Sequence, residues 1–448
     1  MKLNIMALLL CMWVTCGSAA DAAAQQTDTG WTLRECIEYA RQNNLNVETQ
    51  RVGAAISQVE LSSAKAQRYP TLSFSTSHNV SHQNQQTLIN DYGESSTGGF
   101  NYSGNYSLTS GLTLYNGGRL RNTVRQQELD AQSAELDVEQ AQNDIEIEVA
   151  QAFMQILYAR ETLDNSRAAL ATSLKQVERA REMLAAGAIA RSDLMQLEAQ
   201  YSNDAYTVVM DSTAVTSALL TLSQLLELAP GTEFDIVEPA IDDASVLAPL
   251  ESAADIYASA LETMPQMQSN ELAVESSLAA EKIARASFYP TLSLNVGLST
   301  GAQSNTGISY LNQMSNKFYQ NAGISLNIPI FNGRQARNNV SQARLNTSTV
   351  RLQAQSARNE LWNTVSSLHN DATAAQAGYL SAERQLESAR ASYELVEAQF
   401  NEGLKNTVEL LTERNNYDEA VNNLTRAKYT SLLAASLLRF YAGSPIEI

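Results

Sequence analysis

Proline occurs in this chain of 448 residues only at 70, 230, 239, 249, 265, 290, 329 and 445. None lies between Thr71 and Ala229 or between Ile330 and Ser444. Glycine is missing from Arg119 to Ala186 and again from Arg334 to Ala377. Stretches that long without a breaker, rich in Ala, Leu, Gln, Glu and Arg, can only be very long helices. With 20 Gly and 8 Pro in all, collagen-like, Pro-rich disordered and loop-dense many-stranded folds are excluded. Charged residues make up 17%, too few for a charge-driven disordered chain.

The chain repeats itself, which sets its organisation. Arg68-Tyr69-Pro70-Thr71-Leu72-Ser73-Phe74 returns as Phe288-Tyr289-Pro290-Thr291-Leu292-Ser293-Leu294, displaced by 220. Tyr115-Asn116-Gly117 returns as Phe331-Asn332-Gly333, and Arg121-Asn122 as Arg337-Asn338, displaced by 216. Gly187, Leu194 and Tyr201 return as Gly403, Leu410 and Tyr417 at the same 216. One unit is therefore duplicated, over residues 31–229 and 251–442, with an acidic, Pro-bearing link over 230–250. Each unit is expected to hold a helix, a β-hairpin, a very long helix and a return helix. The hairpins fall at about 70–116 and 290–332. The long helices fall at about 118–186 and 334–402, and the return helices at about 190–229 and 406–442.

The β patches alternate. Phe100, Tyr102, Tyr106, Leu108, Leu112 and Leu114 share one face, and Asn101, Ser103, Asn105, Ser107, Thr109 and Thr113 the other. Ile324, Leu326, Ile328 and Ile330 oppose Asn321, Ser325 and Asn327 in the second unit. Period two means strands with one apolar face. The opposite face is Ser, Thr and Asn without charge, the pattern of a transmembrane barrel wall at about 9–11 residues per crossing. A soluble sheet with a neutral outer face is the other reading. In lipid the sheet must close. One chain offers four strands. Two chains make eight, a side-chain-filled barrel, whereas three make twelve with a lumen.

Seven-residue spacing runs through Val149, Phe153, Ile156, Leu163, Leu170, Leu174, Val177 and Leu184. It returns in Val365, Ala372, Tyr379, Leu386, Tyr393 and Phe400, so helix packs on helix with left-handed crossing. Gly187 and Gly403 are expected helix C-caps at tight returns. Ser192 or Thr407 is the expected cap of the next helix, with Asp193 and Glu409 near its positive end.

Met1-Lys2, the apolar run Met6–Val14 and Ser18-Ala19-Ala20 read as a secretory signal peptide over 1–20. Acylation of Cys16 is the alternative, although Trp13-Val14-Thr15 is a poor approach to such a cysteine. Only Cys36 remains beyond the signal, a core residue by its neighbours Ile37 and Ala40, so no disulfide framework exists. No run of about 20 apolar residues follows the signal. A net charge of −18 without basic runs makes nucleic acid a poor partner. His78, His82 and His369 have no second ligand at metal spacing, and no nucleophile-elbow, P-loop or zincin pattern occurs. No enzyme and no cofactor are expected.

At these residues the chain resembles the TolC family of outer-membrane efflux proteins. The resemblance runs from Trp31-Thr32-Leu33 to the last helix. It rests on Tyr-Pro-Thr-Leu before strands, Asn-Gly after them and Gly-x5-Asp/Glu-Leu at the tip, all duplicated. It implies a homotrimer in the outer membrane of a Gram-negative bacterium, extending into the periplasm. Its twelve-stranded barrel, set in outer-membrane lipid, would continue as an α-helical coiled-coil tunnel. It implies passive export, with docking to a periplasmic adaptor (membrane fusion) protein and an inner-membrane pump or ABC exporter. Tyr69, Pro70, Asn116, Gly117, Tyr289, Pro290, Asn332 and Gly333 would mark the barrel–tunnel junction. Gly187, Asp193, Leu194, Phe400, Gly403, Lys405, Glu409 and Leu410 would form the periplasmic tip and gate. In the family an acid of the first tip holds a Tyr and an Arg of the second. Here those positions are Asp193, Phe400 and Lys405. Phe lacks the hydroxyl and Lys the planar fork, so a differently built lock is expected. Three copies of Glu409 would favour cations at the mouth. The rival reading is a secreted coiled-coil surface or stalk protein. A periplasmic adaptor would show a single helical hairpin beside lipoyl-like and barrel domains.

Overall fold

The computed structural model describes residues 30–446 apart from 91, 92, 242 and 305. The side chains of 83–98, 243 and 244 are also outside the described set. The expected signal peptide and Cys16 lie outside the described residues. The chain opens with α1 (Leu33–Asn43) and α2 (Leu45–Ala66), which lead to β1 (Thr71–Asn90) and β2 (Gly93–Asn116). Next come α3 (Arg119–Ala185) and α4 (Arg191–Leu225). A short α5 (Asp243–Val246) precedes the second pass, α6 (Ala253–Thr263) and α7 (Pro265–Arg285). That pass continues through β3 (Thr291–Gln303), α8 (Tyr310–Asn316) and β4 (Tyr319–Asn327). It ends with α9 (Gln335–Asn401) and α10 (Thr407–Tyr441).

The two halves match closely in backbone. α3 and α9 each have 67 residues and α4 and α10 each have 35. A 67-residue helix is about 100 Å long. Left-handed backbone recurs at the 216-residue displacement in Gly117 and Gly333, Gly118 and Arg334, Gly187 and Gly403, and Glu227 and Gly443. Arg334 and Glu227 are the two non-glycine residues with positive φ, at 68° and 54°. Each stands where its counterpart is glycine, so the backbone survived the loss of the residue that suits it.

The four strands form one antiparallel sheet in the order β1-β2-β3-β4, leaving β1 and β4 as free edges. Register puts Leu72, Phe74, Leu108, Leu298, Leu294 and Ile324 on one side. Ser73 and Thr109, and Ser75 and Ser107, bond hydroxyl to hydroxyl on the other, at 2.8 and 2.7 Å. A bulge at Leu114 slips the register, so Tyr115 pairs with Leu292 and joins the apolar side. β1 and β2, at 20 and 24 residues, exceed one membrane crossing, whereas β4 has nine. The excess is a hairpin continuing past the apolar band. In the second half α8 takes that place.

Helix packing follows the heptad seam with one departure. Val149, Phe153, Ile156, Leu163, Val177, Val365, Ala372, Tyr379, Tyr393 and Phe400 are buried, but Leu174 is exposed. The main core lies midway along α3. There Cys36, Ile37 and Ala40 of α1 meet Val149, Phe153 and Ile156, with Val365 of α9 and Leu432 of α10. Burial pushes the Cys36 thiol up to about 12, with Glu35 adding to it. Segment 230–250 is part of this core. Ile236 and Val246 are buried in it, and Trp31 donates to and accepts from the backbone of Asp235 and Val237. Burying each large apolar side chain contributes about 1.5–3 kcal/mol.

α4 contains an 18-residue window of mean hydropathy 1.2, long and apolar enough by composition to cross a membrane. The sequence shows no run of 20 apolar residues there because Asp204 and Asp211 interrupt it. Tyr206, Val209, Met210 and Leu220 of this helix are exposed in the single chain. Gly53 and Gly378 lie inside helices facing open space, and nothing in the structure explains them.

Candidate functional site

At the junction, Pro70 and Pro290 stand between helix and strand, where a missing N–H and fixed φ suit a helix-to-strand change. Asn116 Oδ1 accepts the Leu120 N–H at 3.2 Å, and Asn332 C=O accepts the Gln335 N–H at 3.1 Å. Gly117 has φ +66°, and a Cβ there would lie 2.7 Å from Tyr289 Cβ. Here both backbone sign and close approach require glycine. Gly333 repeats the positive φ, at 62°. Tyr69 and Tyr289 are exposed.

Above this level the apolar side of the sheet is open. Leu72 is 72% exposed and Phe74 66%. A polar aromatic group lies further along the same side. His78 Nδ1 and Tyr102 Oη share a hydrogen bond at 2.7 Å, and Tyr106 Oη bonds Tyr310 Oη at 2.8 Å. Tyr115 marks the near edge and Tyr106 the far one, nine residues apart. That is about 30 Å along the strand, or roughly 23 Å vertically at a 40° tilt, the height of a membrane band between aromatic girdles.

At the other end of α3 and α9, Gly187 and Gly403 both have φ +74°. Ala188 N–H donates to Met183 C=O and Gly187 N–H to Leu184 C=O. Leu404 and Gly403 repeat the pattern to Gln399 and Phe400. Both are glycine-closed helix ends with doubled backbone bonds. The next helices are not capped by Ser192 or Thr407. The cap positions are Ala190, two residues before Ser192, and Asn406, one residue before Thr407. Asp193 accepts the Ala190 N–H at 3.1 Å. Asn406 and Glu409 exchange a reciprocal pair at 2.9 and 3.2 Å, satisfying orphan donors at the helix start.

Lys405 Nζ lies 2.5 Å from Glu409 Oε1. Lys405, then the Asn406 N–H, hold the Glu409 carboxyl below its usual range. Within the chain, Asp193 therefore bonds its own helix, and Lys405 bonds Glu409. Phe400, Leu194 and Leu410 are buried together with Val177, Ala180 and Leu197. Where a Tyr hydroxyl would seek an acid, the Phe ring packs into this cluster.

A polar network above the tip was not anticipated. Arg414 is 1% exposed. Its Nη2 donates to Asp204 Oδ2 at 2.5 Å and to Ala169 C=O at 2.8 Å, and Nη1 donates to Gln176 at 3.3 Å. Ser173 and Gln200 donate to Asp204 at 2.6 and 2.8 Å. Gln176 donates to the Tyr393 hydroxyl, which donates to Glu397 at 2.8 Å. Asp418 lies 3.4 Å from Arg414 Nε. Burial pushes the Asp418 carboxyl up to about 6; Arg414 pulls it down and Asp204 pushes it further up. The guanidinium thus ties α10 to α3 and α4, and Gln176 extends the network to Tyr393 of α9, which stacks on Tyr417 at 5.6 Å. The available signal was a charge on the apolar seam, since Asp204 follows Leu197 by seven and Arg414 follows Leu410 by four.

No group of three or more metal-type ligands gathers among the described residues. An open-edged sheet with one bare apolar side and one uncharged polar side, set on helices of about 100 Å, defines an outer-membrane channel with a periplasmic tunnel.

Comparison with known proteins agrees. The family model described as outer membrane efflux protein matches residues 36–227 and 256–444, one match per repeat. The chain belongs to the outer membrane efflux protein family. It is 23% identical over 425 residues to outer membrane protein TolC of Vibrio cholerae, covering 93% of this chain and 91% of that one. It is 25% identical over 302 residues to alkaline protease secretion protein AprF of Pseudomonas aeruginosa, covering 66% of this chain and 61% of that one. Among solved structures, CusC superposes with TM-score 0.78 at 18% identity, covering 94% of this chain and 95% of that one. VceC of Vibrio cholerae superposes with TM-score 0.75 at 17% identity, covering 93% and 97%. The fold is that of the trimeric TolC-like channels, with four strands per chain in a twelve-stranded barrel. The protein is a passive outer-membrane channel of efflux or type I secretion, extending into the periplasm, and not an enzyme.

Proposed function

We propose that this channel is the exit duct of a tripartite machine, docked by its helical tips to a periplasmic adaptor and an inner-membrane pump or ABC exporter. Energy then comes from the inner-membrane partner, and the duct supplies a path and a gate. The observation that carries this reading is the pair of matched hairpin tips, each closed by a glycine and buried on Phe400, Leu194 and Leu410. They lie a full helix length from the sheet. The residues of that tip, Gly187, Asp193, Leu194, Phe400, Gly403, Lys405, Glu409 and Leu410, form the gate. Tyr69, Pro70, Asn116, Gly117, Tyr289, Pro290, Asn332 and Gly333 form the hinge between barrel and tunnel. The two repeats, 31–229 and 251–442, serve as equivalent halves of the wall.

The gate differs from that of the better studied members. The Lys405–Glu409 pair neutralises the acid that would otherwise ring the mouth, and Asp193 is occupied by its own helix end. Deletion of the gene should sensitise the cell to exported compounds or abolish secretion of a neighbouring cargo. Outer-membrane fractions should yield SDS-resistant trimers that conduct in planar bilayers. A monomer in the soluble fraction that does not conduct would overturn the assignment.

A further inference from the structure

The chain is strongly acidic, yet its junction is strongly basic. Segments 61–70, 117–127, 278–290 and 331–346 hold ten of the 30 Lys and Arg and a single acid, Glu281. In the first repeat the bases are Lys65 and Arg68 on or just after α2, and Arg119, Arg121 and Arg125 on α3. In the second they are Lys282 and Arg285 on α7, and Arg334, Arg337 and Arg344 at the start of α9. Two positions are repeated across the duplication: Lys65 returns as Arg285 and Arg121 as Arg337. Glu281 is consumed by Arg285 and Arg344, at 2.5 and 2.9 Å. Arg125 pairs with Glu275 at 3.2 Å. Lys65, Arg68, Arg119, Arg121, Lys282, Arg334 and Arg337 form no ion pair among the described residues.

These cations converge. Lys65, Arg68, Arg121, Arg125 and Lys282 line one cavity of about 1070 Å³ beside Tyr69, with Glu128 its one acid. The N-termini of α3 and α9 open at the same level. Neither carries an acid in its first turn, whereas α4 and α10 at the tips carry Asp193 and Glu409 there. Positive helix ends there add to the side-chain charge.

Depth identifies the partner. The apolar sheet face ends at Tyr115 and Leu292. A headgroup layer extends about 5–8 Å beyond the hydrocarbon. Lys65 precedes Pro70 by five residues and Arg121 follows Gly117 by four, so both sit about 6–8 Å below the strands. Arg125 and Lys282 start about 12 Å below; Arg125 reaches upward along its flexible stem, and Lys282 lines the same cavity. Side chains of α3 tilt toward its N-terminus, which is the membrane end.

We propose that this collar binds the phosphate groups of anionic phospholipids in the periplasm-facing leaflet, and so sets the depth at which the trimer sits. The proposal rests on the barrel reading and names the lipid class that the barrel selects. Each cation near an anionic surface strengthens binding by up to about fivefold, and salt weakens it.

The test uses the purified trimer in phosphatidylcholine bilayers with spin-labelled phosphatidylglycerol or phosphatidylcholine as probe. The wild type should immobilise phosphatidylglycerol at least about fivefold over phosphatidylcholine, less in 0.5 M salt. The quadruple variant Lys65→Gln, Arg68→Gln, Arg121→Gln, Lys282→Gln should lose that preference. A control variant, Lys175→Gln, Arg351→Gln, Arg384→Gln, Arg390→Gln, removes equal charge from the tunnel and should keep it. Equal immobilisation of both lipids by the wild type overturns the proposal. So does an unchanged preference in the collar variant. A shifted reversal potential in a KCl gradient with unchanged lipid preference would place the collar in the lumen and overturn it too. A wild-type protein that forms no conducting trimers would instead overturn the channel assignment.

Discussion

Asp204→Asn removes the counter-charge of a guanidinium that has no access to water. Arg414 and Asp204 have side chains 1% and 9% exposed, 2.5 Å apart. Deleting one member of a buried pair costs about 3–5 kcal/mol, because the other charge stays buried. Here Asp418 lies 3.4 Å from the same guanidinium and is 31% exposed, so it takes up part of the stranded charge. The lower end, about 3 kcal/mol, applies. The network joins α4 and α10 close to the tips, so the loss falls on local opening rather than on the barrel. Amides of α10 from Leu410 to Asp418 should exchange with solvent about 150-fold faster in the purified trimer, while amides in β2 keep their wild-type rates. The double variant Asp204→Leu, Arg414→Met replaces both charges with apolar groups and should restore most protection. An acceleration below about tenfold in Asp204→Asn would refute the reasoning. So would a double variant that exchanges as fast as the single one.

Asp418 makes stability depend on pH. Its carboxyl is raised in the folded protein to about 6 from 3.8. The native state therefore binds more protons than the unfolded one between those values, and stability from this group falls as pH rises through 6. Asp418→Asn should raise the thermal midpoint of the trimer at pH 7.5, raise it less at pH 5, and leave it unchanged only below pH 3.8. Lys405→Ala should free Glu409 and raise cation over anion permeability, read as a reversal potential in a KCl gradient; an unchanged potential would place Glu409 away from the ion path. Because Lys405 and Asn406 hold Glu409 ionised below its ordinary range, the wild-type pair should survive acidification to pH 4.5 and be lost only below it. Asp193→Ala should raise conductance if Asp193 helps close the tip, and no change would count against that role. Glu227→Gly should stabilise the trimer by about 0.5–1 kcal/mol, since left-handed backbone costs a non-glycine residue about 1–2 kcal/mol and glycine returns part of that in unfolded-state entropy. A lower thermal midpoint would refute it.

Glycine and proline carry most of what the sequence discloses. Gly187 and Gly403 end the long helices, and Pro70 and Pro290 start the strands, because each does something no other residue does as cheaply. Alternation exposed the two sheet faces as far as Leu112, but not the bulge at Leu114 that turns Tyr115 to the apolar side. A one-residue slip has no composition of its own. The helix starts at Ala190 and Asn406 were missed because Ser192 and Thr407 are better caps by type. The backbone bonds of Asp193 and Glu409 decide the register instead. Leu174 fits the seven-residue spacing and still faces outward, although Val177 three residues on stays buried on the seam. The Arg414 network needs four helices brought together from positions up to 245 residues apart, and no local pattern encodes that.

The paired backbone has a consequence for symmetry. Three chains of two matched halves make a ring with sixfold backbone and threefold side chains. At the mouth two kinds of hairpin alternate, one started by Ala190 with Asp193 and one by Asn406 with Lys405 and Glu409. A docking ring of three subunits can therefore select one kind and ignore the other. A ring of six must grip both, and its neighbouring subunits must then adopt two different fits to surfaces that share a backbone but not a charge pattern.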